Sequence, residues 1–186
     1  MHRLFVALEL PVAVRDVLLA AMGGVAGARW QTDDQLHLTL RFIGEVDRHA
    51  AQDIAAALGR VHGAPFTLAL GAPGSFDTRG LTDNLWIGVT PQDAIKALNQ
   101  RIEQALARVG IAPETRAFLP HITLARLNRS AGAIDGFLAR TLPATTFDLV
   151  DALSEVPAVA AGALIRCCGD AAALERVWRG LDELPF

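Results

Sequence analysis

Two copies of one tetrapeptide could perform chemistry in this chain. His37-Leu38-Thr39-Leu40 and His121-Ile122-Thr123-Leu124 both read His-x-Thr-Leu with an aliphatic residue at x, and one copy lies in each half of the sequence. Side chains alternate faces along an extended strand, so the His and Thr of each copy share one face while the aliphatic residues point to the other. Two such strands side by side would present two imidazoles and two hydroxyls in one pocket.

This set of groups suits a displacement at a phosphate diester. One imidazole can give a proton to the leaving oxygen while the other takes a proton from water, and the unperturbed pKa of histidine lies close enough to neutrality for both tasks. The hydroxyls of Thr39 and Thr123 can donate to the non-bridging oxygens, where charge builds up in the transition state. The scheme requires no metal and no cofactor.

Three other interpretations compete with acid–base catalysis. Both histidines could be ordinary structural residues, but the two contexts match: each copy lies in an apolar, β-prone run, Leu36–Ile43 or Phe118–Ala125, and is followed by an arginine. The histidines could instead bind a metal, but zinc sites usually need three or four protein ligands, and no Asp or Glu lies at ligand spacing near either motif. A third alternative is an RNA- or nucleotide-binding module of the same fold without turnover, against which the intact pair of motifs argues.

Composition limits the class of protein. The chain has 186 residues, of which 52% are hydrophobic, and a net charge of −3. We therefore expect a single domain over residues 1–186 with a substantial core. No apolar run is long enough for a membrane span, and the start shows no secretory signal, so we expect a cytoplasmic protein without a membrane partner. We also expect a monomer. Proteins that bind along long nucleic acids usually carry a net positive charge on a basic surface, which a net charge of −3 does not indicate. Any nucleic-acid contact should therefore be local, at an RNA end.

The hydrophobic periodicity predicts alternating strands and helices. Each half contains a β-α-β unit with one motif, which indicates an α+β fold of two pseudo-symmetric sheet lobes flanked by helices, with a central cleft. Gly44 is expected to close the first motif strand, and the Gly/Pro/Asp-rich stretch Gly71–Asp83 to be a turn. The predicted elements are strands at Arg3–Leu10, Leu36–Ile43, Phe66–Leu70, Leu85–Val89, Phe118–Ala125, Thr145–Val150 and Ala163–Cys168, and helices at Val12–Met22, Ala50–Val61, Gln92–Val109, Ala131–Arg140 and Ala171–Gly180.

Three further residues are candidates for substrate binding. Arg41 is four residues after His37, so regular alternation places it on the same face, and Phe42 on the opposite face in the core. Arg126 lies just beyond the second motif, where a guanidinium could bind phosphate. Trp30 precedes the first motif strand and could stack on a base, although packing in the core is favoured.

These residues resemble the 2H phosphoesterase superfamily, and within it the bacterial and archaeal RNA 2′,3′-cyclic phosphodiesterases, also called 2′-5′ RNA ligases. The resemblance covers residue 3 to about 126. It rests on both His motifs in their contexts LHLTLRFIGE and FLPHITLAR, on the start RLFVAL, on ARW before the first motif and on LWIGV before the second. After about residue 150 the chain departs from the family, because it has no Tyr and ends in a Cys167-Cys168 pair and an Ala-rich segment.

The resemblance implies a bilobal α+β fold and metal-free opening of a terminal 2′,3′-cyclic phosphate to a 2′-phosphate. The substrates would be RNA ends or small 2′,3′-cyclic nucleotides. By match to the family's motifs, His37 would be the proton donor to the departing 3′ oxygen and His121 the base that activates water. Thr39 and Thr123 would hold the phosphate oxygens. The reverse reaction, which joins a cyclic end to a 5′-hydroxyl, would use the same pair.

Overall fold

The computed structural model of the protein describes residues 2–149 and 164–165. Strands and helices are interspersed in this part of the chain, as the sequence predicts for an α+β fold. The strands are β1 (His2–Glu9), β2 (Arg29–Trp30), β3 (His37–Val46), β4 (Phe66–Thr78), β5 (Leu81–Thr90), β6 (His121–Arg126), β7 (Thr146–Leu149) and β8 (Leu164–Ile165). The helices are α1 (Val12–Ala20), α2 (Arg48–Leu58), α3 (Gln92–Arg108) and α4 (Asp135–Leu138), with a 3-10 turn at Asp33–Gln35.

The sheet consists of two groups of strands that meet at the two motif strands. Its order is β7-β4-β5-β6-β3-β1-β8, and the short β2 pairs with β6. Within the groups, β3 pairs with β1 and β6 pairs with β5, both antiparallel. Between the groups the contact is narrow: β3 and β6 run antiparallel and share the single register pair Leu38 and Ile122. The two motifs are therefore related by an approximate two-fold axis through that pair, as expected for two pseudo-symmetric lobes.

The aliphatic residues of both motifs anchor the site to the core. Leu38, Leu40, Ile122 and Leu124 are at most 2% exposed. They belong to one cluster with apolar side chains from the helices, which include Ile54 and Leu58 of α2 and Ile95, Leu98 and Ile102 of α3. Both motif strands thus present their apolar side to the helices and their His–Thr side away from them, which is the alternation predicted from the sequence.

The prediction of a turn over Gly71–Asp83 is wrong. Strand β4 continues to Thr78 and pairs with β5 from Ala69 onward, and only Arg79 and Gly80 form the turn. Both turn residues have positive φ, 55° and 77°, as the two-residue turns of twisted hairpins require. The irregular register between Leu70 and Pro73 accommodates the glycine and proline that suggested a loop. The longer hairpin brings Phe76 to the second motif.

Gly44 does not close the first motif strand, which continues to Val46. Gly44 has a φ of 95°, and the β1–β3 register shifts at this point, so the glycine lies in an irregular part of the strand rather than at its end. The predicted helix Ala131–Arg140 is reduced to the single turn of α4. Of the late elements, only Leu164–Ile165 of the predicted strand Ala163–Cys168 is described, and the predicted helix Ala171–Gly180 lies outside the described residues.

Candidate active site

The His and Thr residues of the two motifs lie on one face of the two neighbouring strands. Because Leu38 is paired with Ile122 in antiparallel register, Thr39 lies across from His121 and His37 lies across from Thr123. All four side chains are partly buried. Directly opposite positions on antiparallel strands have their Cβ atoms about 5 Å apart. Each imidazole therefore lies beside the hydroxyl of the other motif, and the two imidazoles lie on one diagonal of the four-residue cluster.

Each histidine is fixed by a backbone hydrogen bond to the residue two positions before it. The Nδ1 atom of His121 lies 2.7 Å from the carbonyl oxygen of Leu119, and His37 makes a hydrogen bond to the backbone of Gln35. A carbonyl oxygen can only accept, so Nδ1 of His121 carries the proton and Nε2 is the nitrogen available for proton transfer. The two motifs thus hold their imidazoles by the same local device.

Burial lowers the pKa of both imidazoles. For His37 and for His121, the main cause is the loss of solvent around the charged form, and the backbone hydrogen bonds oppose it. The pKa of His37 is lowered further by the charge of His121, since two imidazolium groups repel each other. The doubly protonated pair is therefore disfavoured near neutrality, so at least one ring is available as a base.

Aromatic rings pack against both histidines. The ring of Phe5, on β1, has its centroid 5.1 Å from that of His37. On the other side, Phe76 contacts His121 edge-on with centroids 4.8 Å apart, and Trp86 lies 5.9 Å from the same imidazole. The proximity of these three rings to the histidines arises from pairing with neighbouring strands, so no local sequence pattern predicted it.

A glycine on β4 makes room for the tryptophan. A Cβ atom on Gly74 would lie 2.2 Å from the Trp86 ring, well inside van der Waals contact. Trp86 in turn packs against Phe76 with ring centroids 5.3 Å apart. The stack Gly74–Trp86–Phe76 therefore supports one side of His121.

The predicted faces of Arg41 and Phe42 are wrong. In the β1–β3 register, Ala7 is paired with Thr39 but Val6 with Arg41, so Leu40 is an extra residue and forms a β-bulge. The bulge reverses the alternation after Thr39. Arg41 is consequently 8% exposed, whereas Phe42, expected in the core, is 46% exposed.

The guanidinium of Arg41 is committed to protein groups. Its Nε lies 2.5 Å from a carboxylate oxygen of Glu103, and its Nη1 lies 3.6 Å from Glu114. Nη1 and Nη2 donate to the carbonyl oxygens of Phe42 and Ala112, both at 2.6 Å. A phosphate contact by Arg41 would therefore replace bonds that already exist.

A cleft of about 500 Å³ opens beside the motifs. Thr39 and His121 line it, and so do aromatic rings and acidic side chains. The remaining walls are formed chiefly by Phe42, Phe76, Phe118, Asp77, Asp83, Asn84, Asn99, Glu103, Glu114 and Arg116. His37 and Thr123 do not line this cleft, but the strand register places them beside His121 and Thr39, which do.

The two other candidates lie outside the lining of this cleft. Trp30 packs against the core, with its ring centroid 6.0 Å from that of Phe137, which is the packing that the sequence favoured. Arg126 is exposed at the end of β6, where it is paired with Arg29 of β2 and Asn84 of β5. Among the described residues, no three His, Cys, Asp or Glu side chains converge as a metal site would require, and no described helix is both long and apolar enough to span a membrane.

Comparison with known proteins identifies relatives of this chain. The sequence model of the 2'-5' RNA ligase superfamily matches residues 20–156. The RNA 2',3'-cyclic phosphodiesterase of Escherichia coli (strain K12) is 32% identical over 159 residues, which cover 83% of this chain and 84% of that protein. The RNA 2',3'-cyclic phosphodiesterase of Geobacillus stearothermophilus is 28% identical over 148 residues, or 76% of this chain. The match covers 47% of that relative, so the chain spans about half its length.

The same relationship is found among solved structures. The crystal structure of E. coli LigT complexed with 3'-AMP matches with a TM-score of 0.60 and 28% identity, covering 80% of this chain and 87% of that one. Both motif strands lie within the range that the family's sequence model matches. The fold and the family predicted from the two motifs are therefore confirmed.

Proposed function

The chain belongs to the 2'-5' RNA ligase superfamily, and on that premise we propose that it is a metal-independent RNA 2′,3′-cyclic phosphodiesterase. One observation carries the proposal. The two His-x-Thr-Leu motifs lie on adjacent strands with both imidazoles and both hydroxyls on one face. The activity of the named relatives and the 3'-AMP bound to E. coli LigT support RNA ends or small 2′,3′-cyclic nucleotides as the substrates.

In the proposed reaction, water attacks the phosphorus of the cyclic phosphate and the bond to the 3′ oxygen breaks. His121 takes the proton from water through Nε2, and His37 gives its proton to the departing 3′ oxygen, which leaves a 2′-phosphate and a 3′-hydroxyl. Thr39 and Thr123 donate to the non-bridging oxygens as negative charge develops there. Each threonine lies beside the imidazole of the other motif, so one phosphate group can contact all four side chains.

The same pair of imidazoles can also catalyse ligation. If the 5′-hydroxyl of a second RNA attacked the phosphorus of the cyclic phosphate in place of water, His121 would take its proton, His37 would protonate the departing 3′ oxygen, and a 2′-5′ linkage would form. In the cleavage of that linkage back to the cyclic phosphate, the two histidines would exchange acid and base roles. We propose ligation as a second activity of this site. The monomeric state and the cytoplasmic location expected from the sequence remain predictions, to be checked by sedimentation and by cell fractionation.

Incubation with an oligonucleotide that ends in a 2′,3′-cyclic phosphate tests the proposal. We expect conversion to the 2′-phosphate isomer alone, identified by chromatography against both isomers, with the rate unchanged in excess EDTA. A 3′-phosphate product would contradict the assigned leaving oxygen. Binding without turnover would favour the non-catalytic module, and loss of activity in EDTA with recovery on adding zinc would favour a metal hydrolase.

A further inference from the structure

Residues 111–120, here called the approach segment, lead from α3 to the second catalytic motif without forming helix or strand. The segment ends at Pro120, directly before His121, and it contains Leu119, whose carbonyl oxygen accepts the hydrogen bond from the imidazole. The position of this backbone therefore determines where the His121 ring points. Apolar contacts of Ile111 and Phe118 with the core hold its two ends, and polar contacts hold the stretch between them.

Those polar contacts come from the first motif strand and from α3. Arg41, two residues after Thr39, donates to the carbonyl of Ala112 at 2.6 Å and pairs with Glu114 at 3.6 Å. Glu103 of α3 binds the Arg41 guanidinium at 2.5 Å and accepts from the backbone N–H of Glu114 at 3.3 Å. Arg41 and Glu103 together therefore clamp the approach segment to β3.

The bulge that turns Arg41 toward the clamp is itself held by a buried amide. Asn99 of α3 is 8% exposed, and its Nδ2 donates to the carbonyl oxygen of Leu40 at 2.7 Å. If Leu40 were a regular strand residue instead of a bulge, alternation would put Arg41 on the face of His37. The bulge, the amide and the guanidinium thus form one connection from the first motif, through the approach segment, to Leu119 and His121.

We propose that Arg41 is a positioning residue that sets the placement of His121 relative to His37, and that the partly buried Arg41–Glu103 pair is kept for this alignment. The inference rests on the proposed function, because alignment matters only if both imidazoles act on one substrate. Buried ion pairs contribute little net stability, because desolvation offsets the attraction between the charges. A misplacement of about 1 Å at a catalytic group can lower the rate about 10²-fold.

The test is the pair replacement Arg41→Met with Glu103→Gln, measured beside Arg41→Met alone. The single variant leaves a half-buried carboxylate without its cation and should melt at a lower temperature. The double variant is neutral and keeps a side-chain oxygen for the Glu114 N–H, so its melting temperature should return toward that of the unsubstituted protein. On a small 2′,3′-cyclic nucleotide we expect its kcat to remain about 10- to 10²-fold low, with KM changed less than about twofold, because alignment is lost rather than binding.

Arg140→Met is the matched control. Arg140 is another partly buried arginine that binds backbone carbonyls, those of Ala21 and Gly23, but it has no contact with either motif. Its loss should lower the melting temperature and leave kcat of the folded protein unchanged. Recovery of both melting temperature and kcat in the double variant would overturn the proposal, since the pair would then be only structural.

Two further measurements keep the proposal testable. If the double variant does not fold, Arg41→Lys replaces it in the test. The lysine keeps the charge beside Glu103 but cannot reach the carbonyl of Ala112 with a second donor, so we expect a lower kcat. An unchanged kcat would overturn the inference. The imidazole NMR signals of His121 should shift in the Arg41 variants and not in Arg140→Met. The NMR shift can be measured without turnover. If the unsubstituted protein is inactive, the proposed function is refuted, but the presence or absence of the shift still decides whether Arg41 positions His121.

Discussion

Thr39 lies across from His121 in the register that joins the two motif strands, so the imidazole of each motif is paired with a hydroxyl supplied by the other half of the chain. Neither half of the chain alone supplies both the two imidazoles and the two hydroxyls that the proposed reaction requires. Because of the approximate two-fold relation, the one His and one Thr of each motif combine into a cluster of two imidazoles and two hydroxyls, the set of groups that could bind a phosphate and transfer two protons.

The first prediction concerns the threonine hydroxyls. Thr39→Val and Thr123→Val keep the shape and β-branching of the side chain but remove the donor, and each should lower kcat about 10²-fold, the usual effect of removing one donor to a developing oxyanion. Thr→Ser at the same positions keeps the hydroxyl and should retain most of the activity. Steady-state kinetics on a 2′,3′-cyclic nucleotide measures both. Equal activity of the Val and Ser variants would remove the threonines from the proposed reaction.

The second prediction concerns pH. The base must be unprotonated and the acid protonated, so kcat/KM should fall on both sides of an optimum and report the free enzyme's coupled pair. Because burial lowers the pKa of both His37 and His121, both limbs should lie at lower pH than two ordinary imidazoles would give, and the optimum should lie on the acid side of about 6.5. A rate that rises steadily to pH 10 would argue against paired imidazole catalysis.

The third prediction concerns Gly74. Its replacement by alanine would put a methyl group 2.2 Å from the Trp86 ring, so the indole must move and release Phe76 and His121 from their present packing. We expect a loss of about 1 to 3 kcal/mol in the free energy of unfolding and a lower kcat. Gly136→Ala is the control, since a Cβ there meets nothing within 4 Å. Thermal unfolding and kinetics that show no difference between the two variants would contradict the packing described.

How far the sequence predicts this molecule depends on where regular alternation holds. The period of two correctly separated His37 and Thr39 from Leu38 and Leu40, and the second motif likewise, because the register with the outer strand shifts only at the last residue of each tetrapeptide, Leu40 and Leu124. The prediction failed one residue later, at Arg41. The bulge at Leu40 carries no glycine or proline to signal it, and the group that holds its carbonyl, Asn99, is on another element.

The aromatic side of the site was missed for a related reason. Glycine, proline and aspartate suggested a loop around Phe76, but pairing with β5 extends the strand through this composition. Gly74 is there because Trp86 covers it, which only the paired structure shows. Local propensity gives way here to contacts between strands, and these contacts place Phe76 and Trp86 on His121.

The central claim, that the two imidazoles act together on one phosphorus atom, is tested most directly by a double-mutant cycle of His37→Ala and His121→Ala on a 2′,3′-cyclic-phosphate-ended oligonucleotide. His49→Ala, an exposed histidine of α2, serves as the control and should keep full activity. We expect each single variant to lose about 10² to 10⁴ in kcat and the double variant to lose little more than the worse single variant, since residues that act as a unit are strongly non-additive. Losses that multiply in the double variant, or full activity in either single variant, would contradict the account.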